Sequence, residues 1–199
     1  MTGRPEAFDR FVSVFRPRIF HYTLMMCGQR EDAEEVVQDT LFKVFENLGQ
    51  LREPERLRAW VFRIAKNACL MKRRKSVFAP DEELSIDDFM PAAGGDGQPR
   101  KLEIADWSRL PEDEAMRVEL RRIIDSAIQR LPPIYRAVIL LRDVEELTTE
   151  EAAEVLDVTQ EVVKTRLHRA RLAVREQLDQ HLKAAGGDGG SSGQTPARG

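Results

Sequence analysis

The stretch that decides the fold runs from Thr148 to Arg175 and reads TTEEAAEVLDVTQEVVKTRLHRARLAVR. Thr148 and Glu151 have the spacing of a capping box, which predicts that a short helix opens there. Asp157 and Val158 supply a tight turn, and Thr159 is placed to cap a second helix. The pattern is a helix-turn-helix. On the second helix Val163, Leu167, Ala170 and Val174 recur at spacings of four, three and four, which sets them on one buried stripe. The neighbouring stripe carries Lys164, His168, Arg171 and Arg175, with Arg166 and Arg169 beside it. A helix with an apolar back and a basic front suits a major groove, where cations neutralise phosphates and long side chains reach base edges. A solvated amphipathic helix would carry the same charge run. The capped helix and turn directly before it favour the DNA reading.

Upstream, helical spacing resumes near Glu114 with Leu120, Ile123, Ile124, Ala127, Ile128 and Leu131 on one face. Pro132 and Pro133 interrupt it, and Pro133 suits the first position of the next helix, IYRAVILLRDV. With the helix-turn-helix this makes a C-terminal domain of four helices over 116–182. The N-terminal third reads as three helices. Phe8, Phe11, Val12, Phe15, Ile19, Tyr22 and Met26 share one face up to a stop at Gly28, with a kink or break expected near Phe15 because of Pro17. The second helix is expected to start at Asp32, capped with Glu35, and to end at Gly49. The third follows Pro54, with Leu57, Trp60, Val61, Ile64, Ala68 and Met71 inward and Arg56, Arg63, Lys66, Asn67, Arg73 and Arg74 outward. No strand pattern and no fixed-period repeat occurs, so the fold class is all-α: an N-terminal helical bundle (1–77) and the four-helix domain, joined by a linker. Periodicity fades through the linker (78–115), which holds MPAAGGDGQPRK, and the tail (183–199) is Gly/Ser-rich. The linker is read as flexible and the tail as disordered.

The net charge of −3 hides an uneven distribution. Residues 1–77 hold 15 Lys/Arg against 10 Asp/Glu, residues 78–115 hold 3 against 11, and residues 116–199 balance at 13 each. Two basic-faced ends around an acidic connector suit two nucleic-acid contacts, with a middle that either mimics the polyanion or is simply solvated disorder. No apolar run reaches the roughly 18 residues of a membrane span, and no signal-peptide core opens the chain, so no membrane insertion and a cytoplasmic location are expected. Catalysis finds little support. There is no P-loop, GxGxxG or HExxH motif, and His21, His168 and His181 stand in no triad context. The acid pairs Glu34/Glu35 and Glu150/Glu151 are explained by first helical turns. His21, Cys27 and Cys69 would make only a partial metal site, and two buried thiols are the expected reading. The chain reads as a binding protein without enzymatic activity, cofactor or metal.

Three segments taken together, DAEEVVQDTLFKVFENL, RLRAWVFRIAKNACLMKRRK and LPPIYRAVILLRDVEELTTEEAAEVLDVTQEVVKTRLHRAR, resemble the bacterial extracytoplasmic-function (ECF) sigma factors of the sigma-70 family, in the family's order and spacing. The resemblance spans Phe8 to Leu178 apart from the middle of the linker. It implies that the first domain binds the RNA polymerase core and the −10 promoter element and that the second binds the −35 element. Core binding maps by resemblance to Glu35, Gln38, Asp39 and Phe42, a carboxylate and aromatic surface suited to a basic partner, with Phe45 expected in the core. The −10 contacts map to Arg56, Arg63, Lys66, Asn67, Arg73 and Arg74, with Asn67 near a flipped base; Trp60 is expected in the core rather than as a stacking platform. The loop at residues 49–55 would hold promoter-specificity determinants. The −35 contacts map to Thr159, Lys164, Thr165, Arg166, His168, Arg169 and Arg171, with Lys164 and His168 at base-reading positions and His168 equally able to pack on a thymine methyl. Asp157 departs from the glycine usual in this turn, and aspartate tolerates the left-handed conformation. The implied partners are the clamp region of the largest polymerase subunit, the flap of the second largest, promoter DNA and an anti-sigma factor that clamps the domains. A stand-alone helix-turn-helix regulator and a helical protein-protein adaptor are the rival readings.

Overall fold

The computed structural model describes residues 4–51, 53–75 and 114–186, and every regular element among them is helical. In order these are α1 (Arg4–Cys27), α2 (Arg30–Asn47), α3 (Leu57–Lys75), α4 (Glu114–Gln129), α5 (Pro133–Ile139), α6 (Thr149–Leu156) and α7 (Gln160–Gly186). Short 3-10 turns at Leu48–Gln50 and Pro54–Arg56 lead from α2 into α3. The first three helices form one bundle and the last four another, as the apolar spacing predicts.

In the first bundle Ile19, Tyr22 and Met25 of α1, Val36 and Val44 of α2, and Val61, Phe62 and Ala65 of α3 are fully buried or nearly so. Tyr22 and Phe62 meet edge to face at a centroid distance of 5.4 Å, a preferred aromatic geometry. α1 runs unbroken through Pro17, contrary to the expected interruption. The proline removes only the bond that would reach the Ser13 carbonyl. Phe11 and Phe15 before it, and Ile19 and Tyr22 after it, all pack on the same core and keep the two halves in one helix. The helix ends at Gly28, whose φ of 81° suits glycine and whose N–H returns to the Leu24 carbonyl at 2.9 Å.

Several local expectations are corrected by neighbouring helices. α2 begins at Arg30, with Gln29 as an N-cap lacking a side-chain bond, and ends at Asn47 rather than Gly49. Asp32 is already the third residue of α2, so it cannot form a capping box with Glu35, and both carboxylates instead meet Lys72 of α3. Glu31 and Asp32 therefore occupy the first turn in place of Glu34 and Glu35. On α3 the buried stripe runs through Val61, Phe62, Ala65, Ala68 and Cys69, leaving Met71 55% exposed. Phe45 is also outside the core at 62% exposure, because Val44 takes the inward position one residue earlier. It meets Phe8 edge to face at 5.0 Å instead.

In the second bundle Leu131, Val138, Leu140, Leu141, Leu147, Val155, Val163 and Ala170 form the centre. α5 is shorter than its apolar run because the chain widens into a π turn over Leu140–Val144, where the Glu145 N–H bonds the Leu140 carbonyl at 2.8 Å. The capping box is present: Thr148 accepts from the Glu151 N–H, and the Glu151 side chain accepts from the Thr148 N–H. Asp157 adopts the left-handed conformation at φ 57°, ψ 49°. The expected buried stripe of Val163, Leu167, Ala170 and Val174 is buried throughout. α4 starts within the expected linker and α7 extends to Gly186, past the expected end at 182. The rest of the linker and tail readings fall outside the described residues.

The two bundles pack against one another. The Arg18 Nε donates to the Glu145 carboxylate at 2.8 Å, and Arg58 donates to the Glu145 backbone carbonyl at 3.2 Å. Arg136, in the last turn of α5, donates across the boundary to the Met25 carbonyl at 2.9 Å and within its own bundle to the Leu131 carbonyl. His21 Nε2 lies 3.4 Å from Asp125 of α4. Removing the cap that sets α6 is expected to cost about 1 kcal/mol, the usual size for an N-cap side chain. Urea unfolding of Thr148→Ala should show that loss and Thr148→Ser should recover most of it; equal midpoints for the alanine variant and the parent would refute it.

Candidate nucleic-acid interface

The turn at Asp157 delivers the chain into α7, and Thr159 caps that helix through the Val162 N–H at 3.3 Å. Burial of Val163, Leu167, Ala170 and Val174 fixes the rotation of α7, so the opposite side faces outward. Lys164, Thr165, His168 and Arg169 are exposed there, and Arg166 is half-buried. Lys164 reaches Glu161 one turn earlier at 2.6 Å. Arg171 forks onto Asp143 with Nε–Oδ2 at 2.8 Å and Nη2–Oδ1 at 2.6 Å. That bidentate bond holds the Arg171 pKa above its ordinary value.

A second basic face lies on α3. Arg63 and Asn67 are exposed on the side away from Phe62 and Cys69, and Lys66 is half-buried at the edge of the buried stripe. The side chains of Arg73 and Arg74 lie outside the described residues. Arg56, at the entry to α3, is held by acids on both sides: Glu53 at 2.6 Å, and Glu154 and Glu150 of α6 at 2.6 and 3.7 Å. Its pKa is raised first by the hydrogen bond to Glu154. An open cleft of about 560 Å³ runs beside this contact, lined by Lys43, Trp60, Arg63, Glu53 and Glu154. Trp60 packs on the core, as expected, but is only half-buried and also lines the cleft.

α2 carries the third exposed face. Glu35, Gln38, Asp39 and Phe42 are all exposed, and Phe42 is 62% so. Phe45, expected in the core, and Leu48 extend this surface and add apolar area to it. Sequence reading also missed Glu145, Arg18, Arg58 and Asp143, whose pairings span separations of 28 to 127 residues and carry no local signal. Among the described residues no group of three metal-ligating side chains occurs. His21 faces Asp125, away from any role beside Cys27 and Cys69. No described helix is long and apolar enough to cross a membrane.

Residues 11–77 match the family described as Sigma-70 region 2, and residues 121–174 match Sigma-70, region 4. Over 176 residues the chain is 32% identical to the ECF RNA polymerase sigma factor SigW of Bacillus subtilis, covering 88% of this chain and 91% of that protein. The chain belongs to the ECF sigma factors. It is 30% identical over 176 residues to the ECF sigma factor SigE of Mycolicibacterium smegmatis, covering 88% of this chain and 63% of that longer protein. The fold is shared with the sigma factor RpoE of Bartonella quintana, solved in complex with the anti-sigma factor NepR, at a TM-score of 0.61 and 21% identity over 87% of this chain and 98% of that one. This ECF sigma factor is thus a transcription initiation factor that directs RNA polymerase to promoters. Its region 2 comprises α1 to α3, and its region 4 match runs from within α4 to within α7.

The contact between the two regions has a titratable element. The Asp125 hydrogen bond raises the His21 pKa, outweighing burial, with Glu145 raising it further and Arg121 lowering it. A raised histidine pKa makes the contact complete below the ordinary imidazole value and weakens it as pH climbs through the folded value. Glu145 has its own pKa raised by burial, against the lowering effect of Arg18. Asp125→Asn is expected to drop the His21 midpoint in an NMR titration to the ordinary value or lower. A midpoint that does not move would show that Asp125 is not its cause.

Proposed function

We propose that the three exposed faces form one initiation surface. The α2 face of Glu35, Gln38, Asp39 and Phe42 docks on the polymerase core at the clamp of the largest subunit, with Phe45 and Leu48 widening the apolar part. An exposed aromatic pair within an acidic helix supplies both a desolvated anchor and a steering charge for a basic partner. Region 4 contacts the flap of the second-largest subunit. Arg63, Lys66 and Asn67, with Arg56, Arg73 and Arg74, receive the −10 element, where polar and cationic groups hold an unpaired strand. Lys164 and His168 read the −35 element. Thr165, Arg166, Arg169 and Arg171 hold its backbone, and Thr159 presents the helix N-terminus to a phosphate.

The domain division that fits these roles is region 2 over 1–77, an acidic linker over 78–115, region 4 over 116–182 and a tail over 183–199. The protein acts as a non-enzymatic subunit in the cytoplasm, where polymerase and promoters meet. An anti-sigma factor is a further partner, in keeping with the RpoE complex with NepR, and it would hold the two regions together. The observation that carries the reading is the coexistence of an exposed acidic-aromatic helix on region 2 with a capped, basic-faced recognition helix on region 4. DNA engagement by Arg56 and Arg171 requires Glu154 and Asp143 to give way to phosphate.

Reconstitution with core polymerase tests the assignment. Lys164→Ala with His168→Ala should weaken −35 discrimination by about tenfold or more, at about 1–3 kcal/mol per base contact, and leave core affinity unchanged. A parallel fall in core affinity would remove those residues from the reading role. Gln38→Ala with Phe42→Ala should weaken core binding by roughly thirtyfold, the effect of losing about 2 kcal/mol at an interface anchor, while DNA contacts of region 4 persist. Undiminished core binding by that variant would move the docking surface elsewhere.

A further inference from the structure

Cys27 and Cys69 stand 42 residues apart in sequence, yet their sulfurs are 3.3 Å apart as thiols. Cys27 is the last residue of α1 and is half-buried, whereas Cys69 lies within α3 at 2% exposure. The pair therefore joins a residue partly open to solvent with one behind it. Closing to a covalent bond of about 2.05 Å requires an approach of little more than an ångström. Compliance for that motion lies on the Cys27 side, where the helix has ended and Gly28 turns the chain at φ 81°. Tyr22 adds a second feature. Its hydroxyl is buried with no hydrogen-bond partner, and it lies within electrostatic reach of both sulfurs.

We propose that Cys27 and Cys69 form an oxidisable dithiol that hydrogen peroxide converts to an intramolecular disulfide between α1 and α3. In the first step the Cys27 thiolate attacks a peroxide oxygen, the O–O bond breaks, and the leaving oxygen takes up a proton to depart as water. Cys27 is then a sulfenic acid. In the second step the Cys69 sulfur attacks the Cys27 sulfur, the S–O bond breaks, and the hydroxyl leaves as water with the Cys69 proton. Two thiols lose two electrons and two protons, and hydrogen peroxide is reduced to two waters. The half-exposed position of Cys27 makes it the attacking sulfur. The contact with Cys69 resolves the sulfenic acid before a second peroxide can reach it. The bridge closes a loop that contains all of α2 and fastens α3 two residues beyond Asn67.

The test uses the full chain without polymerase, so its failure is separate from any failure of the promoter assignment. The reduced protein is treated with hydrogen peroxide, denatured, alkylated with N-ethylmaleimide and weighed intact. The mass of the unalkylated monomer should fall by about 2 Da, for the two hydrogens lost with the new bond, and alkylation should fall from both cysteines to neither. A peptide joining Cys27 to Cys69 should appear, and dithiothreitol should restore both thiols. Cys69→Ala should leave Cys27 as a sulfenic acid that dimedone traps, and Cys27→Ala should leave Cys69 reduced. Two alkylatable thiols after peroxide, sulfinic or sulfonic acid at Cys27 beside a reduced Cys69, or a disulfide between two chains would each overturn the proposal. The wild-type arm alone decides it if either variant folds poorly.

Discussion

The arrangement of the two bundles depends on Glu145. It lies just after the π turn, 2% exposed, with its carboxylate on Arg18 and its carbonyl on both Arg18 and Arg58. A buried carboxylate is costly unless charge and hydrogen bonds surround it. Here both donors come from the other bundle, so the acid is satisfied only while the bundles are together. The π turn makes this possible by carrying the chain past the end of α5 with Glu145 aimed outward from its own core. Arg136 and the His21 contact with Asp125 flank the same boundary.

The same packing shapes the electrostatics of the exposed basic faces. Arg56 rests on Glu154, Arg171 on Asp143 and Lys164 on Glu161. Exposed pairs of this kind contribute little to stability, commonly under about 1 kcal/mol. Exchanging such a carboxylate for a phosphate would therefore cost little, and any such exchange on a nucleic acid would release condensed counterions. The acids hold these long side chains in defined positions on the surface. For Arg56 the acids sit on both regions, which couples its release to the separation of region 2 from α6.

Local chemistry was the readable part of this chain. The Thr148 capping box, the left-handed Asp157, the Thr159 cap and the stripe through Val163 and Val174 involve residues within a few turns of one another, and each is present. Errors arose where the packing of the whole bundle outweighed the local pattern. Asp32 and Glu35 looked like capping residues, but α2 begins before them and both meet Lys72 of α3. Phe45 looked like core, but adjacent Val44 took the inward position, and neighbours on a helix differ by about 100°. Pro17 looked like a breakpoint, yet aromatic packing on both sides carried α1 through it.

By itself the sequence determined seven helices in two groups, the helix-turn-helix, and the ordered motifs that mark an ECF sigma factor. Those properties follow from spacing along the chain, because helix periodicity and capping act over three or four residues. Tertiary structure alone decided that Glu145 receives Arg18 and Arg58, that Arg56 and Arg171 are held by acids, and that Cys27 meets Cys69. Contacts between residues 28 to 127 positions apart depend on how helices cross and how far each is rotated. Those quantities are set by the packing of whole cores, and no short window of sequence contains them.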